Sequence, residues 1–80
     1  MGNNMNLNLI QTFLVVAEYQ SYTKAADHLG LTQPAVSAAI KRLEQVVGKQ
    51  LFVKQGRGIV PTSTAYQLIP QFRQAVSIVD

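Results

Sequence analysis

The side chains in this chain of 80 residues that could do chemistry are mostly amides, hydroxyls and cations. Gln33 follows Thr32 and precedes Pro34-Ala35, where a helix begins. A glutamine amide carries both donors and an acceptor, so it can meet an adenine edge with two hydrogen bonds. A proline ring or alanine methyl can meet the methyl group of a thymine. Ser37, one turn further on, and then Lys41 and Arg42 offer a hydroxyl and two cations suited to phosphate oxygens, with Lys41 nearer to Pro34 and Ser37 on a helical wheel. The Thr32 hydroxyl can cap the helix, contact a ligand, or do both, and the free N–H groups of the first turn favour an anion. Arg57 stands between Gly56 and Gly58. Its neighbours let the backbone approach a surface closely, and its guanidinium suits a narrow, electronegative groove.

Catalysis finds no such support. His28 is the single histidine and follows Asp27, with no nucleophile, base or further ligand at a useful spacing. The chain has no phosphate-loop fingerprint or nucleophile elbow. It has no cysteine, hence no disulfide framework or thiolate metal site. No catalytic group, metal or cofactor is expected. A chain this short buries only roughly 60 % of its unfolded surface, and without staples it points to a reducing compartment and to help from oligomerisation. A cytoplasmic dimer is expected. No apolar run approaches the about 18 residues of a membrane span, and the start lacks the regions of a signal peptide. Residues 1–6 read as a flexible lead or an expression remnant, since Asn6 stands where a myristoylation signal needs Ser or Thr.

The net charge is +3, from seven basic and four acidic residues. Placement says more than the sum: Lys41, Arg42, Lys49, Lys54 and Arg57 cluster in a stretch whose only acid is Glu44. Such a cluster is a solvated face or the footprint of a polyanion.

Hydrophobic spacing supplies the elements that hold these groups. Leu9, Ile10, Phe13, Leu14, Val16 and Ala17 recur as on one broad helix face from Leu7 to about Glu18. Gln20-Ser21-Tyr22 breaks the pattern, Thr23 is the expected N-cap of a short second helix through Ala25, Ala26 and Leu29, and Gly30 ends it. Thr32 caps a third helix with Pro34 in its first turn, running to about Val47 and stopped by Gly48. Val36, Ile40, Leu43 and Val47 share its core face, and Pro34, Ser37, Ala38, Lys41, Arg42 and Gln45 lie opposite. Two helices joined through Gly-Leu-Thr form a helix-turn-helix. Leu51 to Lys54 and Ile59-Val60, around Gln55 to Gly58, predict a small hairpin that Pro61 ends. Thr62 can cap a last helix in which Leu68, Phe72, Ala75 and Val79 continue the coiled-coil spacing begun at Ala65. That stripe needs either the domain core or a partner chain. Pro70 within it predicts a kink or a restart, by crowding the carbonyl of Tyr66. The fold class read from these elements is mainly α with a small β-hairpin.

The run Ser21-Tyr22-Thr23-Lys24-Ala25-Ala26, with Leu29, Leu31-Thr32-Gln33-Pro34-Ala35-Val36-Ser37, Ile40, Leu43-Glu44, Gly48 and Leu51-Phe52, closely resembles the DNA-binding domain of LysR-type transcriptional regulators. The likeness covers about residues 7–68. Gly56-Arg57-Gly58 with Pro61-Thr62 resembles the subgroup of nodulation regulators and their relatives. The resemblance implies a winged helix-turn-helix over 7–61 and a linker helix over 62–80 that pairs two chains. It also implies a separate domain sensing a small-molecule effector, so the 80 residues read as a fragment of a longer regulator. On this likeness the third helix enters the major groove of double-stranded promoter DNA. Gln33, Pro34 and Ala35 would then touch bases and Arg57 the minor groove, with Thr23, Lys24, Thr32, Ser37 and Lys41 on the backbone. Leu68, Phe72, Ala75 and Val79 would pair the chains on an interrupted inverted repeat. The chain departs from the family at Ala38 and Ala39, where relatives often carry a long polar or basic residue. Two other classes remain to be weighed: a protein-interaction module on the same scaffold, and a small enzyme around His28.

Overall fold

The structure is a computed structural model that describes residues 7–79, the side chains of 78 and 79 excepted. The expected lead segment 1–6 and the pairing contact of Val79 lie outside the described residues. The order is α1 (Leu7–Tyr19), α2 (Tyr22–Leu29), α3 (Gln33–Val47), β1 (Phe52–Gln55), β2 (Gly58–Pro61) and α4 (Ser63–Val79). Among the described residues no helix is long and apolar enough to cross a membrane.

One apolar cluster holds all these elements. Leu9, Ile10, Phe13 and Val16 of α1 meet Val36, Ile40 and Leu43 of α3, and Ala25 and Ala26 of α2 are small enough to let the helices cross closely. Phe13 is the hub, fully buried. Its ring lies 5.5 Å from that of Phe52 in β1 and 5.4 Å, edge to face, from that of Phe72 in α4. Tyr22 adds an edge-to-face contact on Phe52 at 6.4 Å, so the start of α2 and the base of the hairpin share an aromatic wall.

The chain turns between α1 and α2 at Gln20, the one described non-glycine residue with positive φ, 52°. Its N–H bonds the Val16 carbonyl at 2.7 Å, closing α1. Ser21 is therefore the first extended residue, and its hydroxyl accepts the Lys24 N–H at 3.1 Å. This corrects the expected cap: Ser21, not Thr23, starts α2, because the turn at Gln20 ends two residues earlier than the hydrophobic pattern suggests. Thr23 and Lys24 sit exposed in its first turn. Gly30, with φ 69°, ends the helix in the left-handed conformation that a side chain disfavours. Thr32 caps α3 as expected, accepting the Ala35 N–H at 3.2 Å.

The hairpin is tighter than expected. Gln55 pairs with Gly58, which leaves a turn of only Gly56 and Arg57. Gly56 has φ 61° and Arg57 does not have positive φ, the signs of a type II′ turn, in which glycine suits the first central position. The hairpin is tied down both near its turn and at its base. Ile59 donates to the Gln20 carbonyl at 3.4 Å, and Thr62 donates from its N–H to the Leu51 carbonyl at 2.9 Å. The Thr62 hydroxyl donates to the Gln50 carbonyl at 2.7 Å and accepts the Ala65 N–H at 3.3 Å, which caps α4 as expected.

Glu44 joins α3 to this base, its Oε2 accepting the N–H of the buried Leu51 at 2.8 Å. A buried donor left without an acceptor costs about 1–3 kcal/mol, so Glu44→Ala is expected to lower unfolding free energy by that amount, while Glu44→Gln, which keeps an amide acceptor, loses less. Urea denaturation of the three proteins checks this, and equal loss in both variants would assign the effect to charge instead.

α4 crosses Pro70 without restarting. Pro70 and Tyr66 are both exposed, so the carbonyl deprived of its donor lies on the solvent side, while Ile69 and Phe72 pack inward and hold the helix together. Phe72 is 7 % exposed and packs in the core against Phe13, so the apolar stripe of α4 is used in part within the chain, one of the two uses expected for it. Leu68 is half-buried against the same core, and Ala75 is half-buried.

Candidate nucleic-acid interface

The capping and crossing geometry above turns the first turn of α3 outward. Thr32, Gln33, Pro34 and Ala35 are all exposed, as are Ala38, Lys41 and Arg42 further along, whereas Ser37 is half-buried. Pro34, Ala38, Lys41 and Gln45, spaced by four, three and four residues, form the centre line of this face, with Val36, Ile40 and Leu43 buried behind it.

The hairpin stands beside the helix and forms with it an open groove of about 480 Å³. Ser21, Tyr22 and Thr23 form one wall, Gln33 stands at the end of α3, and Lys54, Arg57 and Gly58 come from the hairpin. The structure therefore gathers three of the expected residues, Thr23, Gln33 and Arg57, around a single opening. Two cations and no carboxylate line it. Lys41 instead borders a second hollow, of about 380 Å³, with Lys49, Gln50 and the end of α3. Lys24 lines neither of these openings. Leu68, Phe72 and Ala75 lie on α4, which packs against α1.

Lys54 escaped the sequence reading as a site residue although it belongs to the basic cluster. Strand alternation was the usable signal: two residues beyond the inward Phe52, it falls on the same side of β1 and so on the groove. Ser21 was missed because Thr23 offered an equally good hydroxyl. Tyr22 completes the wall as a neutral group: burial first, and then the nearby Glu44 carboxylate, push its hydroxyl above the ordinary tyrosine range. An anionic ligand thus meets no phenolate there.

His28 has a structural partner. The Tyr19 hydroxyl lies 3.2 Å from its Nδ1, and the two rings pack at 5.4 Å on the surface where α1 meets α2. Among the described residues no group of three histidine, cysteine or carboxylate side chains is placed to hold a metal ion. The cationic, carboxylate-free groove beside an outward helix end can hold a polyanion and present hydrogen-bonding and apolar groups to it.

Known proteins share this sequence pattern and this fold. Residues 7–66 match the family described as bacterial regulatory helix-turn-helix protein, lysR family. The chain is 47 % identical over 75 residues to the HTH-type transcriptional regulator LeuO of Escherichia coli (strain K12), covering 94 % of this chain and 24 % of that protein. It is 40 % identical over 72 residues to Nodulation protein D 1 of Rhizobium meliloti (strain 1021), covering 90 % and 23 %. It thus spans about a quarter of the length of these curated relatives. The crystal structure of a BenM_DBD/catB site 1 DNA complex superposes with a TM-score of 0.89 at 36 % identity, covering 95 % of this chain and 84 % of that one. Sequence, fold and the outward α3 agree, and the relatives are transcription regulators rather than enzymes. The chain belongs to the lysR family of bacterial regulatory helix-turn-helix proteins, and is a winged helix-turn-helix DNA-binding domain of that family.

Proposed function

We propose that this domain binds double-stranded promoter DNA sequence-specifically, with α3 in the major groove and the hairpin as a wing in the neighbouring minor groove. The observation that carries the reading is the shared groove, where Gln33 and Arg57 come together with no carboxylate between them. Gln33, at the groove, and Pro34 and Ala35, next to it on the outward turn of α3, meet base edges, and Arg57 enters the minor groove. Thr23, Lys24, Thr32, Ser37 and Lys41 hold phosphates, joined by Lys54. Residues 7–61 form the reading unit and 62–80 the linker. Two chains bind an interrupted inverted repeat, with half-sites about one helical turn or a multiple of it apart. With Phe72 turned inward, pairing falls to the rest of α4, around Leu68, Ala75 and Val79. The setting is the cytoplasm, and a small-molecule effector acts through a further domain of the regulator. The relative seen in a DNA complex supports this reading, as does the basic stretch from Lys41 to Arg57.

Two variants test it. Gln33→Ala is expected to relax preference at one base position by about 1–3 kcal/mol. Lys41→Ala is expected to weaken binding to every duplex and to reduce the slope of log affinity against log salt by about one. Fluorescence anisotropy with a selected duplex and scrambled controls at several salt concentrations reads both. If both variants match the parent on all duplexes, the assignment fails, and a scaffold that binds protein instead takes its place.

A further inference from the structure

Tyr22 opens α2 and stands in the wall of the groove between Ser21 and Thr23. Its ring is half-buried and rests edge to face on Phe52 at 6.4 Å, a contact that a phenylalanine would make equally well. The packing therefore has no use for the hydroxyl. Among the described residues that hydroxyl makes no hydrogen bond, whereas those of Tyr19, Ser21, Thr32 and Thr62 each have a partner. No buried polar side-chain atom among the described residues lacks a partner, so the Tyr22 hydroxyl is not sealed in the core but open to solvent. A ring held by its neighbours and ending in an open hydroxyl is a pre-positioned donor, with little rotamer freedom left to lose on binding. Burial and the Glu44 carboxylate, which does not line the opening, keep the hydroxyl protonated and so able to donate.

What it meets follows from the proposed docking. One strand of the duplex lies between the major groove that takes α3 and the minor groove that takes the wing. Its backbone must cross the opening that has Gln33 on one side and Lys54 and Arg57 on the other. Tyr22 stands in that opening. The two cations supply charge, which acts over distance and is screened by salt. A neutral O–H supplies a directional bond, which releases no counterion.

We propose that the Tyr22 hydroxyl is a DNA-contacting group, donating a hydrogen bond to a phosphate of the strand that crosses the groove, beside the charges of Lys54 and Arg57. This rests on the DNA-binding reading above and adds a contact that carries neither charge nor base information. It fixes where the backbone lies, and so how α3 and the wing are seated together.

Tyr22→Phe removes one oxygen and leaves the ring. The variant is expected to melt with the parent, and to bind selected and scrambled duplexes alike about tenfold more weakly. Its slope of log affinity against log salt is expected to equal that of the parent, whereas Lys54→Ala lowers the slope by about one. Single phosphates of the selected duplex are then replaced in turn by methylphosphonate, which lacks the charge and one acceptor oxygen. At one position on the crossing strand the tenfold gap between parent and Tyr22→Phe is expected to close, because the contact is already lost there. Equal binding by variant and parent on the unmodified duplexes overturns the inference. So does a loss confined to the selected duplex, a loss that comes with a lower melting midpoint, or a gap that no methylphosphonate closes. A parent that binds no duplex overturns instead the DNA-binding reading itself.

Discussion

Phe13→Ala is expected to remove a large share of the stability of this domain. Domains have roughly 0.05–0.15 kcal/mol of stability per residue, which for a chain of this size is about 4–12 kcal/mol. Truncating a fully buried phenylalanine costs about 3–5 kcal/mol, and at Phe13 the void opens between three elements at once, because Phe52 and Phe72 both rest on its ring. Collapse around the void is hindered, since the wing and α4 approach from different sides. Thermal unfolding followed by far-UV circular dichroism should show the midpoint falling by about 15 °C or more, or a transition already under way at room temperature. Tyr66→Ala, at a residue 58 % exposed on α4, supplies the contrast and is expected to stay within about 0.5 kcal/mol of the parent. A Phe13 variant that melts with the parent would mean that the three rings do not form one core.

Arg57→Ala is expected to cause the largest loss of DNA affinity among the surface substitutions, about 10–100-fold on a selected duplex, with the salt slope lower by about one. The residue occupies a turn of two, so no neighbouring side chain on the hairpin reaches as far to replace it. Arg57→Lys should recover only part of the loss, because a compact ammonium is more strongly hydrated than a guanidinium and fits a narrow groove less well. Arg73→Ala is the matched control, a cation of equal charge exposed on α4 away from the groove. If the two alanine variants lose affinity equally, the effect is one of net charge, and the wing has no special part in it. Melting both variants separates affinity from folding, since neither side chain belongs to the core.

Much of the scaffold was legible because its signals are local. The recurrence of Leu9, Ile10, Phe13 and Val16 marks α1, Thr32 with Pro34 marks the start of α3, and Thr62 marks the start of α4, each by chemistry within a few residues. Elsewhere a distant group decides. Ser21 and Thr23 are equal as caps by type, and the choice falls on the backbone turn at Gln20, which no side-chain pattern announces. The spacing of Leu68 and Phe72 shows that α4 has an apolar face but not what covers it, and Phe13, far away in sequence, covers Phe72. Lys54 counts in the sequence merely as charge until the aromatic contacts of Phe52 fix which side of the strand meets α2. At the interface, Gln33 and Arg57 were each legible by type, whereas their sharing of one opening depends on how the hairpin docks.

The bond from Ile59 to the Gln20 carbonyl anchors the hairpin to the end of α1, and the approach is close enough that a Cβ at position 58 would lie 3.3 Å from that oxygen. On the proposed docking this anchorage makes the protein a gauge of fixed span: the offset between what α3 reads and what Arg57 reads is set before any duplex arrives. A duplex whose local twist does not match that offset must itself bend or rewind, and the elastic cost falls on the nucleic acid. Superhelical tension would then change occupancy without altering a single base pair.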